Sequence, residues 1–261
     1  MSKKVLNFTV LFILLIENVT IYGQVVKDDN ASTHSNLIQR PVSRLIQIEN
    51  ENTIAILSSV PSEGLYDYKE LDIYVRQHKE IQTIYIRSIM GYAEMGYDFY
   101  KYLSTWRNIK ALKHDPPTAA SDITDINFSY ICKLEQLEHI RLVDLKLTRE
   151  SFKKFGNFKK LKTLSLGKCN ISDKNLADIS NMENIQNNLQ YLHFAGCSKI
   201  TVKGLRKLQK LKELKELRVE YCKRVSTNDL DALKKTLPGV EIKIVNPYTK
   251  EELESFQGGW G

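Results

Sequence analysis

The residues able to do chemistry are few and scattered. The chain has four cysteines, Cys132, Cys169, Cys197 and Cys222, and five histidines, His34, His78, His114, His139 and His193. A zinc site needs thiolates and imidazoles at short, regular spacing, and no C-x-x-C or close Cys/His pair occurs. Nucleophilic hydrolases, zinc proteases, P-loop proteins and dinucleotide enzymes each carry a local signature, and none is present. Gly64, Gly91 and Gly96 are isolated and build no phosphate cradle. These residue types therefore predict no enzyme, no cofactor and no metal. What remains is recognition chemistry, carried by tyrosine, arginine, histidine and glutamate at alternating positions.

Those positions are legible because the chain repeats. Leu137-x-x-Ile140-x-Leu142-x-x-Leu145 is followed by Leu161-x-x-Leu164-x-Leu166-x-x-Cys169. Leu189-x-x-Leu192-x-Phe194-x-x-Cys197 and Leu214-x-x-Leu217-x-Val219-x-x-Cys222 continue the series. Each unit then carries Thr148, Ser172, Thr201 or Ser226, with an apolar residue four positions later at Phe152, Leu176, Leu205 and Leu230. The alternating half reads as a strand. The hydroxyl before an i, i+3 apolar pattern reads as the N-cap of a short helix. Worn units extend the series backwards. Ile81-x-x-Ile84-x-Ile86 fits a strand, with a helix over Tyr97–Leu103. Ile109-x-x-Leu112 fits another, although His114 stands where the third apolar residue belongs and Asp115-Pro116-Pro117 follows. Ser121 is placed to cap a helix running to Leu137. Leu237-x-x-Val240-x-Ile242-x-Ile244 reads as a closing strand.

The pattern resembles the leucine-rich repeat, in the cysteine-containing subclass whose units read L-x-x-L-x-L-x-x-C followed by I-[ST]-x-x-x-[LF]; the resemblance covers residues 121–246. It implies an α/β fold: a right-handed solenoid with parallel strands on a concave face and short helices on a convex face. One unit cannot bury both of its apolar stripes alone, so stacking must close a shared core. Cys169, Cys197 and Cys222 share one repeat position, so their side chains run parallel rather than face to face, and the prediction is buried free thiols.

Alternation assigns the outward strand positions. They are Thr83, Tyr85 and Arg87; His139, Arg141 and Val143; Thr163, Ser165 and Lys168; Tyr191 and His193; and Glu216, Arg218, Glu220 and Tyr221. Tyrosine and arginine are enriched at interface hot spots. The candidate protein-binding residues are therefore Tyr85, Arg87, His139, Arg141, Tyr191, His193, Arg218, Glu220 and Tyr221.

Charge and termini suggest where such a surface works. There are 38 Lys+Arg against 31 Asp+Glu in 261 residues, a net charge of +7. Basic residues cluster at Lys153, Lys154, Lys159, Lys160 and Lys162, and again between Lys203 and Arg224. Lys3 and Lys4 precede an apolar run from Val5 to Ile16, and Gly23 offers a small residue for cleavage. That is the layout of a secretory signal peptide. The expected organisation is a signal peptide over 1–23 and a linker or edge segment over 24–50. Worn repeats or a cap follow over 51–120, then the repeat domain over 121–246 and a tail over 247–261. The expected protein is secreted or periplasmic, a monomer, and without a membrane span after cleavage. Its partner is another protein or an anionic glycan, with no nucleic acid. Two alternatives rest on resemblance alone: the substrate-receptor repeats of F-box-type ubiquitin ligases, and a mitochondrial assembly factor similar to ATP synthase subunit s. Asn30, Asn127 and Asn170 begin N-x-[ST] sequons; Asn170 falls in a predicted buried turn, where a glycan conflicts with the fold.

Overall fold

The computed structural model describes residues 46–59, 68–90, 97–115 and 123–246. All belong to the compact unit Ile38–Gly261. The signal segment, the Asn30 sequon, Ser121 and the tail lie outside the described residues.

Strand formation follows the two-residue alternation. The strands are β1 (Ile46–Asn50), β2 (Thr53–Ser59), β3 (Thr83–Met90), β4 (Ala111–His114), β5 (His139–Val143), β6 (Thr163–Gly167), β7 (Tyr191–Ala195), β8 (Glu216–Glu220) and β9 (Glu241–Val245). They form one nine-stranded sheet in sequence order. β1 pairs antiparallel with β2, and every later pair is parallel. Equivalent repeat positions sit side by side: Leu112, Ile140, Leu164, Leu192, Leu217 and Ile242 are consecutive partners across the sheet. All six are buried. Residues 46–50, expected in a linker or edge segment, form an edge strand folded back through Glu51 and Asn52.

The connections carry the helices α1 (Tyr68–Gln77), α2 (Tyr97–Leu103), α3 (Asp125–Ile131), α4 (Arg149–Lys153), α5 (Asp173–Ser180), α6 (Glu183–Asn188), α7 (Val202–Leu205) and α8 (Leu230–Thr236). Short 3-10 turns extend α4 over Lys154–Asn157 and α7 over Arg206–Lys210, and another, Thr227–Asp229, precedes α8. Apolar residues three apart bring the chain back to the next strand. The Leu134 N–H donates to the Ile131 carbonyl and the Leu137 N–H to the Leu134 carbonyl, at 3.0 and 3.1 Å. Leu208, Leu211 and Leu214 repeat the device. This is why α3 stops at Ile131 instead of reaching Leu137: tight turns replace helix where three inward residues must follow the core. Its N-cap is Thr124.

The hydroxyl caps differ from repeat to repeat. Thr148 accepts from the Ser151 N–H. Ser172 and Ser226 form capping boxes: each side chain accepts from the backbone N–H three residues on, and its own N–H donates to Asn175 Oδ1 or Asp229 Oδ2. Thr201 departs from the expected cap: its N–H and hydroxyl donate to the two oxygens of Asp173, at 2.8 and 2.6 Å, in the preceding unit. That tie draws α7 against Asp173. A Cβ built on Gly204 would lie 2.1 Å from Asp173 Oδ1 and 3.0 Å from its Cα. Only glycine permits the approach.

His114 fills the inward position that β5 gives to Leu142. It is 1% exposed. Nε2 lies 3.4 Å from Tyr100 Oη, and Nδ1 is buried without a hydrogen bond. Burial pushes its pKa down to about 4, with Asp115 and the Val143 carbonyl opposing. The worn unit is thus a full member of the stack with a neutral imidazole in its core.

Gly204→Ala is expected to destabilise the protein by about 1–3 kcal/mol, since the added methyl meets backbone as well as side chain; a shift of the urea midpoint measures it. His114 supplies a pH test. Its folded pKa lies below the 6.5 of an ordinary imidazole, so the unfolded chain binds the proton better. Its contribution is present above pH 6.5 and lost as pH falls toward 4, by about 3 kcal/mol in all. His114→Leu should be less acid-labile than the parent across that window, and equal acid lability of the two would contradict the assignment.

Candidate binding face

Parallel register converts sequence alternation into lateral rows on the sheet face away from the helices. Neighbouring strands stand about 4.8 Å apart. The central row reads Tyr85, Lys113, Arg141, Ser165, His193, Arg218 and Lys243, each partnered with the next. On one side runs a row through His139, Thr163, Tyr191, Glu216 and Glu241. On the other runs a row through Val143, Gly167, Ala195, Glu220 and Val245.

The rows are held by cross-strand pairs. Arg87 stacks over the Tyr85 ring at 4.0 Å and pairs with Glu49 on β1 at 2.7 Å. Lys113 Nζ lies 5.7 Å from the same ring. Arg141 donates from Nε and Nη2 to Asp115 Oδ2, at 3.1 and 3.0 Å. His139 Nδ1 lies 3.0 Å from Thr163 Oγ1. Arg218 pairs with Glu220, and Lys243 pairs with Glu216 and Glu241. Arg87, Arg141, Arg218 and Lys243 therefore all have carboxylate partners.

At the centre is a linked array. Ser165 Oγ lies 3.0 Å from His193 Nδ1, and His193 Nε2 lies 3.0 Å from Glu220 Oε2. Burial lowers the His193 pKa; the Glu220 carboxylate opposes this, while Arg141 and Arg218 add to it. Burial alone would raise the Glu220 pKa, but hydrogen bonds from Arg218 and His193 outweigh it and hold the carboxyl below its usual range. A neutral imidazole beside an ionised carboxylate fixes the tautomer: Nε2–H donates to Glu220, and Nδ1 accepts from the Ser165 hydroxyl. The array has the order of nucleophile, base and acid. Yet the strand N–H groups around Ser165 are consumed by the parallel ladder. Acyl transfer needs donors converging where the oxyanion forms, and no such backbone pair stands beside Ser165. What the arrangement does is hold a hydrogen-bonded polar platform in which Arg218 offsets the Glu220 charge.

An open depression of about 500 Å3 covers this array. Six of the nine candidates line it: His139, Arg141, Tyr191, His193, Arg218 and Glu220. Tyr85 and Arg87 share the face but lie beyond it, on β3. Three outward assignments need correction. Val143 keeps its place on this face but is covered there, its methyl 3.1 Å from where a Gly167 Cβ would be. Lys168 and Tyr221 are not strand positions. With Asp144 and Gly196 they form the turn leaving each strand, at φ 46°, 52°, 59° and 63° respectively. Left-handed backbone there aims each N–H at the next unit: Lys168 N–H reaches the Ala195 carbonyl at 2.7 Å, and Tyr221 N–H the Val245 carbonyl at 2.8 Å. Lys113, Thr163, Ser165 and Glu216, with the buried Ile140 and Leu192, complete the lining and were not among the candidates. Lys113 was obscured because its strand carries His114 in place of the repeat's apolar residue.

The cysteines lie away from this face. All four are buried and free. Cys169, Cys197 and Cys222 donate to the Gly167, Leu166 and Phe194 carbonyls, at 3.0, 3.4 and 3.8 Å. Burial pushes the Cys132 thiol up to about 12. It likewise keeps Cys169 protonated. Such thiols are inert. Asn170, the sequon residue in the turn, bonds the Leu147 N–H and carbonyl with its side chain. No group of three or more metal-ligating side chains occurs among the described residues.

No protein-family model matches the chain, and no curated protein matches it. Solved structures do. One is an internalin C2 from Listeria monocytogenes, 16% identical over 75% of this chain and 74% of that chain, with a TM-score of 0.43. Another is an internalin, inlF, from the same species, 11% identical over 66% and 57%, with a TM-score of 0.39. At such scores the repeat architecture rests on this chain's own register and hydrogen bonds. Among the described residues no helix is long and apolar enough to cross a membrane.

The array makes a spectroscopic prediction. The His193 ring should titrate below an ordinary imidazole in an NMR pH series, and Glu220→Gln should move it lower still, because the carboxylate is what favours the proton. A rise on that substitution would contradict the arrangement.

Proposed function

We propose that this chain is a leucine-rich repeat protein that captures another protein on the open face of its sheet and performs no catalysis. The solenoid is right-handed, and this face is its concave side. A signal peptide ending near Gly23 directs the chain out of the cytoplasm, as a secreted or periplasmic protein. The observation that carries the reading is the lateral register. It gathers Arg141, Ser165, His193 and Arg218 into one row beside Tyr191, which is 43% exposed. An exposed aromatic next to pre-oriented guanidinium groups is the composition of an interface hot spot. Because ion pairs already hold Arg141 and Arg218, little side-chain entropy is lost when a partner docks.

Charge on this face favours a protein over an anionic glycan. Arg87, Arg141, Arg218 and Lys243 are matched by Glu49, Asp115, Glu220, Glu216 and Glu241. A face so neutralised offers a polyanion little, whereas a protein surface of mixed charge can complement both signs.

Affinity capture from the extracytoplasmic fraction of the native cells, run in parallel with the parent and with Tyr191→Ala/Arg218→Ala, tests the reading. A protein retained by the parent and lost by the variant supports it. Each single substitution should then weaken that partner by about 1–3 kcal/mol in calorimetry without moving the thermal midpoint. Equal capture by parent and variant removes this face. An unprocessed Met1 in the native protein removes the export reading.

A further inference from the structure

The helix side treats its cations differently from the sheet face. Lys203 lies on α7, and Arg206, Lys207 and Lys210 on the 3-10 turn that extends it. Leu205 and Leu208 of the same stretch are buried, so these four point away from the core and are exposed. The turn packs against α8, whose last turn carries the exposed Lys234 and Lys235. Among the described residues none of the six forms an ion pair. Lys210 donates to the neutral Asn181 Oδ1 at 2.6 Å. Two other cations on the helix side are paired, Arg149 with Asp178 and Lys153 with Glu150. Six unpaired cations on packed neighbouring elements repel one another within a Debye length, and a polyanion relieves that repulsion while releasing its own counterions.

From this unpaired cluster we infer a second binding surface, distinct from the sheet face, for a linear sulfated or carboxylated polysaccharide. Its surroundings select that class of polyanion. Among the described residues the exposed large apolar side chains are Ile48, Ile73, Ile126, Tyr191, Tyr221 and Val245, and none lies on α7, its 3-10 extension or α8. The cluster thus lacks the apolar wedge that seats a helix in a bilayer and the aromatic platform that stacks unpaired bases. The four-residue helix and five-residue 3-10 turn lie flat on the core and project nothing into a duplex groove. A flexible chain of anionic sugars needs only closely spaced cations on an open surface.

The test is fluorescence anisotropy of a labelled heparin oligosaccharide with the full chain at 0.15 M salt. Lys203→Glu/Arg206→Glu/Lys207→Glu should weaken binding by about tenfold or more, with a shallower salt dependence. Lys153→Glu/Lys159→Glu/Lys160→Glu, which makes the same change in net charge elsewhere, should weaken it far less. If the first variant loses its near-ultraviolet dichroism, the Lys→Gln and Arg→Gln versions read the same loss. Equal losses in both variants, absence of binding, or tighter binding to phosphatidylserine vesicles or duplex DNA would each overturn the inference. Tyr191→Ala/Arg218→Ala should bind the oligosaccharide like the parent, so this proposal and the sheet-face reading stand or fall separately.

Discussion

Every unit of this fold hangs from a single carbonyl of the unit before it. The Gln82 carbonyl accepts from the Lys110 and Ala111 N–H groups, Lys110 from Glu138 and His139, and Glu138 from Lys162 and Thr163. Lys162 accepts from Gln190 and Tyr191, and Gln190 from Lys215 and Glu216. A shared acceptor at each strand entry leaves no freedom to slip by one residue, and such a slip would turn every inward leucine to solvent. The lock operates at the entries of β3 to β8, through the units whose sequence has drifted as well as the regular ones; at β9 only the Glu241 N–H reaches Lys215. At the other end of β5, β6, β7 and β8 a left-handed residue repeats the lock. Asp144, Lys168 and Tyr221 accept that backbone without being glycine, at a cost of about 1–2 kcal/mol each. In return each N–H so aimed gains a carbonyl acceptor in the next unit.

The binding face follows from this lock. Once register is set, residues 24 to 28 apart in sequence become lateral neighbours from β3 to β9, and their chemistry is decided by columns of the repeat. The central column is basic and the flanking columns carry the acids, so the pairs form across strands: Arg141 with Asp115, His193 with Glu220, Lys243 with Glu216. These pairs are half-exposed, and as stability terms they are worth little. Their value is geometric. A guanidinium held by a carboxylate and an imidazole held by two partners present fixed donors to whatever docks.

Legibility in the sequence divided along the same line. The leucine, isoleucine and phenylalanine alternation marks every strand of the stack, because burial demands it residue by residue. It also exposes the outward columns, including six residues that line the depression. What it conceals is anything decided between repeats. The left-handed turn hides behind Asp144, Lys168 and Tyr221, since only Gly196 advertises it. Thr201 reads as a helix cap until Asp173 of the preceding unit claims its hydroxyl. Lys113 goes unnoticed because His114 interrupts the pattern beside it. The Ser165–His193–Glu220 array spans three repeats and exists only once register is known.

The two faces put the same residue types to opposite uses. On the sheet, strands about 4.8 Å apart bring charged side chains close together, and an unpaired Arg218 there would repel Lys243 on the next strand. Ion pairs hold most of the cations of that face and offset their charge. On the helix side the surface is more open, and lysines can extend into solvent without partners. A cluster left unpaired there is not required by packing, since Leu205, Leu208 and Leu233 hold the core beneath it whatever charge lies above. The protein recognition proposed for the sheet thus falls where ion pairs fix and balance the charge, and the proposed polyanion recognition where charge is left free.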